Sequence, residues 1–461
     1  MVLLKSLGVI GALIMSLTTV AEGLDEHTVS QANTLISRSL DSRVGYDIIN
    51  SLTTEVGPRL AGSEAEARAR DWAVAKFKAL GFKNVRIEPF SVDYWERHVE
   101  SAEIVRPFPQ KLRVTALGGS VATKSGGVTG QIVRFASLQA LIAAPMTGLA
   151  GKIVFVDEHM TRTQDGSGYR VAVRKRSGAA NEAGKRGAIA ALIRSVGTDQ
   201  HRFPHTGQMN YAEQVRKVPI AALSAPDADQ LQRALLLGEV EVKLSLEVES
   251  MGPRLSGNVI GEIPGKTDEI VVIGGHLDSW DLGTGAVDDG AGIGITLGAA
   301  KMILDLNRKP QRTIRVVMFG SEEVGLVGAK AYAEGHKDEL YRHVIGAESD
   351  FGGGKIWRFD TLFGEDKLHF AAAMHAVLGP LGIALGNNSA SGGPDMGPMR
   401  ALGVPVATLK QNGWDYFDLH HTANDTFDKI KPDDIAQNVA AYAAFAWMAA
   451  NLDGHFRASQ D

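Results

Sequence analysis

The chain carries EIVVIGGHLDSWDLGTGAVDDGAG at residues 269–292, and its fold class follows from this segment. The segment begins with an apolar run, typical of a buried parallel strand, that leads through two glycines to His276 and Asp278. Asp288 and Asp289 follow in a glycine-rich turn. Open α/β sheets bind ligands at the carboxyl ends of their strands, and catalytic zinc is held by imidazole and carboxylate groups. The segment therefore indicates an α/β fold with a candidate zinc site.

Three later segments repeat this pattern of a strand-like run followed by metal-binding side chains. TIRVVMFG leads to GSEEVG, HVIGA leads to ESDFGGG, and VPVATLK is followed by DLHHTANDT. A pair of glutamates or histidines alone is more often a solvated turn, and ESD alone could cap a helix. Their joint occurrence after successive strands predicts a metal site instead. The further candidate residues are Glu322, Glu323, Glu348, Asp350, His420 and His421.

Two zinc ions about 3.5–4 Å apart can stabilise both the attacking and the leaving side of a hydrolysis. Glu322 and Glu323 are adjacent, so in an extended chain their side chains point in opposite directions. One of them can bind metal while the other acts as general base. Asp278 is predicted to accept the second imidazole N–H of His276, and Asp425 to do the same near the later histidine pair.

Strand-like and helix-like segments alternate from residue 249 to residue 461, which predicts a mixed, mostly parallel sheet with helices on both faces. Residues 22–113 are predicted to form the N-terminal part of the same catalytic domain. They include a helix that Ser63 and Glu66 cap and Gly81 ends. Residues 114–248 are predicted to form an inserted β-rich domain with one or two helices, leaning over the metal site.

Composition excludes several classes of protein. The net charge of the 461-residue chain is −5 and its pI is near 6.2, so there is no electrostatic case for nucleic-acid binding. The chain contains no cysteine, so it forms no disulfides. Its hydrophobic content of 44% is that of an ordinary globular protein with a sizeable core.

Residues 1–21 have the layout of a secretory signal peptide. Lys5 precedes a short apolar run, and Thr19 and Ala21 provide the small residues expected before a cleavage site. The alternative is a retained membrane anchor, although the apolar run is short for a membrane span. Export without disulfides favours a periplasmic or secreted enzyme.

The glycine-rich segment SASGGPDMGPM, residues 389–399, is predicted to line a substrate pocket, because glycines let the backbone approach a ligand. Asp395 could hold a substrate amine, or it could cap the following helix. Tyr416 and His420 are further candidates for substrate contact. His205, in PHTG, is expected either at the pocket rim or in a surface turn.

These motifs resemble the dinuclear zinc aminopeptidase family that also contains glutamate carboxypeptidase and the transferrin receptor ectodomain. The spacing of twelve from His276 to Asp288 fits that family, and GPRLAGS at residues 57–63 is similar to its opening motif. The resemblance covers nearly all of the chain after about residue 30. The inserted segment resembles a protease-associated domain, and a homodimer is implied as possible.

The resemblance implies two zinc ions per chain. It places His276, Asp288 and Asp350 on one zinc and Asp288, Glu323 and His421 on the other, with Asp288 as the bridging ligand. Glu322 matches the general base. The resemblance also implies a cis peptide bond between Asp288 and Asp289. The basic residues with which glutamate-preferring members bind their substrates have no evident counterpart here.

The main hypothesis is a zinc exopeptidase that hydrolyses short peptides or dipeptides by a metal-activated water. One alternative is an amidohydrolase of N-acyl amino acids that uses the same site. A second is a single-zinc enzyme like glutaminyl cyclase, against which the complete second ligand set argues. A binding module like the transferrin receptor would have lost the ligands, and here none is lost.

Overall fold

A computed structural model describes residues 23–459 of the chain. The predicted signal peptide, residues 1–21, lies outside the described residues. Among the helices between residues 23 and 459, none is both long and apolar enough to cross a membrane.

The described chain contains twelve α-helices and fourteen strands. The helices are α1 Glu26–Leu40, α2 Val44–Glu55, α3 Glu64–Leu80, α4 Leu138–Ile142, α5 Ser167–Ala172, α6 Lys175–Lys185, α7 Ala225–Leu236, α8 Ala291–Leu304, α9 Val327–Gly335, α10 Leu368–Leu378, α11 Gly397–Ala401 and α12 Pro432–Asn451. The strands are β1 Lys83–Arg106, β2 Gln110–Leu112, β3 Val114–Ala116, β4 Val128–Phe135, β5 Ile153–Val156, β6 Ala190–Arg194, β7 Ile220–Leu223, β8 Glu241–Ile263, β9 Ile270–His276, β10 Thr313–Phe319, β11 His343–Glu348, β12 Ile356–Leu362, β13 Ala384–Leu385 and β14 Val406–Gln411.

The predicted mixed, mostly parallel sheet is confirmed. Its catalytic part has the strand order β13-β12-β14-β11-β9-β10-β8. The central strands β14, β11, β9 and β10 are parallel, while β8 and β12 pair with them antiparallel. Parallel strands require crossover connections, and the helices between them supply these connections.

Helices cover both faces of this part of the sheet, because side chains alternate along each strand. On β9, Val271 and Ile273 face the larger core, to which α1, α2, α8 and α12 contribute. Ile270 and Val272 face the opposite core, which α9 and α11 close. The apolar run in the sequence is buried on both sides for this reason.

The predicted cap of α3 is confirmed in part. The Ser63 side chain accepts a hydrogen bond from the Glu66 amide, and Gly81 ends the helix in the left-handed conformation with φ +96°. The Glu66 side chain, however, does not complete the capping box. It is buried, pairs with Arg70 and accepts a hydrogen bond from Ser256 Oγ at 3.1 Å. The Glu66 carboxylate therefore binds these two side chains instead of the backbone at the start of the helix.

The segment between residues 114 and 248 differs from the prediction in its helix content. It contains α4, α5, α6 and α7, whereas one or two helices were expected. Strands β4, β5, β6 and β7 are parallel, and such strands need crossovers. Strand β8 crosses the boundary expected at residue 248. It pairs with β4 at one end and β10 at the other, so one sheet runs through both parts.

Candidate metal centre

Four neighbouring parallel strands bring the predicted metal-binding residues to one edge of the sheet. Strand β9 ends at His276, β10 ends three residues before Glu322, and β11 ends two residues before Asp350. His421 follows the end of β14 by ten residues. His276 is the last residue of β9, and the other positions lie beyond the carboxyl ends of their strands, at the edge predicted for them.

Asp288 lies at the middle of this cluster, and its two carboxylate oxygens face different histidines. Oδ1 is 3.0 Å from Nε2 of His276, and Oδ2 is 3.2 Å from Nε2 of His421. Nε2 of His276 is also 3.6 Å from Oδ1 of Asp350. Burial raises the pKa of the Asp288 carboxyl, but its contacts with the two imidazoles outweigh burial and hold this pKa well below its ordinary value. An ionised carboxylate with one oxygen toward each histidine has the geometry of a bridging ligand.

The adjacent glutamates face different parts of the cluster. Oε2 of Glu323 is 2.9 Å from Nε2 of His421, and its buried Oε1 has no hydrogen-bond partner among residues 23–459. Burial raises the pKa of the Glu322 carboxyl well above its ordinary value, and the charges of Asp350 and Glu323 add to this despite the opposing effect of His276. A carboxylate with a raised pKa is suited to proton transfer near neutral pH.

Asp278 and Asp425 hold backbone amides rather than the imidazoles expected from the sequence. The Asp278 carboxylate accepts hydrogen bonds from the amides of Glu322 and Glu323, at 3.0 and 3.3 Å. Nδ1 of His276 lies nearer to the Asp278 carbonyl oxygen, at 3.0 Å, than to its carboxylate, at 3.6 Å.

The Asp425 carboxylate likewise accepts from three successive amides, those of Ala286, Val287 and Asp288, at 2.6–3.1 Å. Both carboxylates thus fix the loops that carry candidate ligands, because a carboxylate can accept several N–H groups at once.

The peptide bond between Asp288 and Asp289 is cis, which confirms the prediction from the resemblance. The Asp289 carboxylate accepts hydrogen bonds from the amides of His276, at 3.0 Å, and Gly292, at 2.9 Å. Asp289 therefore ties the end of β9 to the start of α8.

Arg59 is an important residue of the site for which the sequence motifs predict no role, although it lies within GPRLAGS. Its guanidinium is fully buried and donates to the carbonyl oxygens of Leu277, Thr284 and Gly285, and at 3.3 Å to that of Gly57. One side chain from the N-terminal segment thus holds both ends of the loop after β9.

Asp395 does not cap a helix, so that alternative is wrong. Helix α11 has no side-chain cap, and the Asp395 carboxylate is fully buried without a hydrogen-bond partner among residues 23–459. Its amide donates to Oε2 of Glu348 at 2.7 Å. Burial and the charge of Glu348 raise the pKa of the Asp395 carboxyl well above its ordinary value. The charge of Asp395 also contributes to the raised pKa of Glu322, so the two carboxyls are electrostatically linked.

The remaining candidates are all buried beside the cluster. The His420 ring stacks on that of His421 with 3.5 Å between centroids, and its Nε2 is 3.6 Å from Oδ2 of Asp288. The Tyr416 ring lies 5.2 Å from that of His420. His205 is 1% exposed, so it is neither a surface-turn residue nor a rim residue.

The donor set fits zinc. Donor atoms of His276, Asp288 and Asp350 all lie within 4.8 Å of one another, and so do those of Asp288, His420 and His421. Burying several carboxylates together costs free energy unless cations compensate their charge. The buried Oε1 of Glu323, which has no hydrogen-bond partner among residues 23–459, also needs such a cation. Imidazole nitrogens and carboxylate oxygens are ligands typical of catalytic zinc.

Comparison with known proteins supports this assignment. Residues 258–446 match a family model described as Peptidase family M28. Carboxypeptidase Q from Mus musculus is 32% identical over 415 residues, which cover 88% of this chain and 86% of that protein. Carboxypeptidase Q from Bos taurus is 33% identical over 417 residues, covering 88% and 85%.

Solved structures agree. A crystal structure of a Peptidase M28 precursor from Shewanella amazonensis is 51% identical, with a TM-score of 0.93, and covers 95% of this chain and 100% of that chain. A zinc aminopeptidase from Bacillus subtilis, 21% identical with a TM-score of 0.67, covers 88% and 95% and shares the fold. The family resemblance drawn from the motifs is confirmed.

Proposed function

The chain belongs to peptidase family M28 and is a metallo-exopeptidase, and from this premise we propose that it hydrolyses short peptides with two zinc ions, for which Asp288 would be a shared ligand. His276 and Asp350 would complete one zinc site with Asp288. Glu323 and His421 would complete the other.

The observation that carries this proposal is the orientation of Asp288. One oxygen lies toward His276 and the other toward His421, so each oxygen can serve a different cation. A single-zinc enzyme needs only one of these two sets. The presence of both favours the dinuclear peptidase over the glutaminyl cyclase-like alternative.

In the proposed reaction, Glu322 accepts a proton from the attacking water and delivers it to the leaving amine. Asp278 keeps Glu322 in position by binding its backbone amide. When bound, zinc lowers the pKa of water and polarises the substrate carbonyl. The buried position of the cluster limits access of bulk water, which strengthens these electrostatic interactions.

A cleft beside the cluster provides room for a substrate. Its volume is about 540 Å³, and Trp280 lines both this cleft and the pocket formed by Asp288, Glu323 and His421. Val324 follows Glu323 directly and lines the same cleft. We infer that a peptide side chain occupies the cleft. Its apolar lining includes Leu60, Val92, Trp95, Trp280, Val324 and Val327.

Zinc content and substrate trials test the proposal. We expect two zinc ions per chain by elemental analysis, and hydrolysis of free dipeptides. One zinc per chain would favour the cyclase-like alternative. Cleavage of N-acyl amino acids without cleavage of dipeptides would favour the amidohydrolase. Tripeptides blocked at either end decide the direction of attack.

Asp395 is proposed as the anchor for a substrate amine, because its carboxylate is buried and unpartnered near Glu322. We expect Asp395→Asn to reduce kcat/KM on a free dipeptide about tenfold or more, the loss of one charge-assisted hydrogen bond. The same change should leave hydrolysis of the N-acetylated dipeptide nearly unaltered. An equal effect on both substrates would show that Asp395 is not an amine anchor.

The remaining proposals concern the whole protein. We propose that residues 1–21 are a signal peptide, that the enzyme acts outside the cytoplasm and that it can form a homodimer. The inserted segment would be a protease-associated-like domain. N-terminal sequencing of the mature protein and light scattering test the first three, and an insert that folds alone would support the last.

A further inference from the structure

We propose that the inserted segment positions His421 for metal binding, with His205 and Thr206 as the positioning residues. The inference rests on the proposed function, in which His421 is a zinc ligand. The insert would supply no metal ligand itself. Its contribution would be to hold a ligand from another part of the chain in position.

His205 joins the insert to the loop that carries His421. Its Nδ1 lies 2.6 Å from the carbonyl oxygen of His420, and its Nε2 lies 2.7 Å from Oδ1 of Asp199. A carbonyl oxygen can only accept a hydrogen bond, so Nδ1 of His205 donates to it. Asp199 holds the other side of the ring. The side chains of His205 and Asp199 are almost completely buried, at 0% and 2% exposure.

Thr206 contacts His421 directly through its backbone. Its amide donates to the His421 carbonyl oxygen at 3.0 Å, and its own carbonyl oxygen lies 3.4 Å from Nδ1 of His421. A histidine that binds metal through Nε2 carries its proton on Nδ1 and needs an acceptor there. The Thr206 carbonyl is placed to be that acceptor, beside Nη2 of Arg176, which lies 3.3 Å from the same ring nitrogen.

The backbone of His421 needs external support. Its φ is +62°, a conformation that residues other than glycine rarely adopt. Such a conformation persists where surrounding contacts hold it. The carbonyl groups of His420 and His421 flank this position, and both accept hydrogen bonds from the insert.

His205 acts through position rather than through chemistry. Both of its ring nitrogens are engaged, and the ring packs against Gly197, where any Cβ would overlap it. Its ring nitrogens bond to the His420 carbonyl oxygen and to Asp199, and not to Glu322 or to any of the five proposed ligand side chains. The expected consequence of losing it is a displaced His421 and a weakened second zinc site.

The experiment compares three substitutions of His205 by competitive zinc titration. His205→Asn keeps a donor near the position of Nδ1, whereas His205→Gln places its donor near that of Nε2, and His205→Ala removes both. We expect the alanine and glutamine variants to bind one of the two zinc ions about 10–100-fold more weakly, the usual cost of losing an outer partner of a ligand. The asparagine variant should recover most of this affinity.

Controls separate positioning from general loss of stability. His201→Ala changes an exposed histidine of the same loop and should leave both zinc affinities unaltered. If the alanine variant does not fold, the asparagine and glutamine pair carries the test. Wild-type affinity for both zinc ions in the glutamine variant would overturn the inference, and so would equal weakening of both sites. Wild-type protein that binds no zinc would overturn the proposed function as well.

Discussion

At the scale of single residues, the adjacent Glu322 and Glu323 are proposed to have different roles, one as general base and the other as zinc ligand. Glu323 forms an ion pair with His421, whereas Glu322 forms one with neither of the ligand histidines His276 and His421. We expect Glu322→Gln to keep its zinc and lose about 10²–10⁴-fold in kcat, because it removes a base and no ligand. Elemental analysis and steady-state kinetics on one sample check this. The matched variant, Glu323→Gln, should lose zinc. More than half of wild-type activity in a fully loaded Glu322→Gln enzyme would show that Glu322 is not the base.

At the scale of secondary-structure elements, the close packing of helix α8 near the ends of β9 and β11 is important for the site. Gly292, the second residue of α8, packs so closely that a Cβ would overlap the carbonyl oxygen of Ser349 and the carboxylate of Asp289. We expect Gly292→Ala to destabilise the protein by about 3 kcal/mol, the upper part of the range for overpacking, and to weaken zinc binding by shifting Asp289.

A glycine at the end of another helix provides the control for that change. Gly335, the last residue of α9, has no atom within 4 Å of an added Cβ. Gly335→Ala should therefore be neutral or slightly stabilising, since alanine favours helix. Thermal denaturation of both variants makes the comparison, and equal effects would contradict the role of close packing at Gly292.

The free energy of unfolding is a property of the whole molecule. One buried histidine makes part of this free energy depend on pH. Burial, with the nearby charge of Arg315, lowers the pKa of His343 to about 3. An unfolded histidine has a pKa of about 6.5, so between these values the unfolded chain binds more protons. Stability should therefore fall as pH decreases below about 6.5. The loss from this group is about 2 kcal/mol between pH 7 and pH 5.

His343→Gln should remove this part of the pH dependence, measured as the difference in melting temperature between pH 7 and pH 5. The exposed His201→Gln is the matched control and should retain the wild-type difference. An unchanged slope in the His343 variant would mean that other groups control acid unfolding.

Local pattern was sufficient to predict much of this protein. Apolar runs before His276, Glu322 and Asp350 identified three strands, and the position of each side chain at or just past the end of its strand placed it at the ligand-binding edge. The sequence also predicted that Ser63 caps helix α3. These features depend on residues close together in the chain, where periodicity and capping preferences apply directly.

Other features depend on long-range contacts that only the tertiary structure decides. Which groups a carboxylate meets is set by loop paths, so Asp278 and Asp425 were assigned to imidazoles when they bind backbone amides. Arg59 meets three of its four acceptors more than 200 residues away, and His205 meets His420 across 215 residues. Sequence periodicity reports burial and local conformation. It carries no record of which distant backbone groups the folded chain will bring within hydrogen-bonding distance.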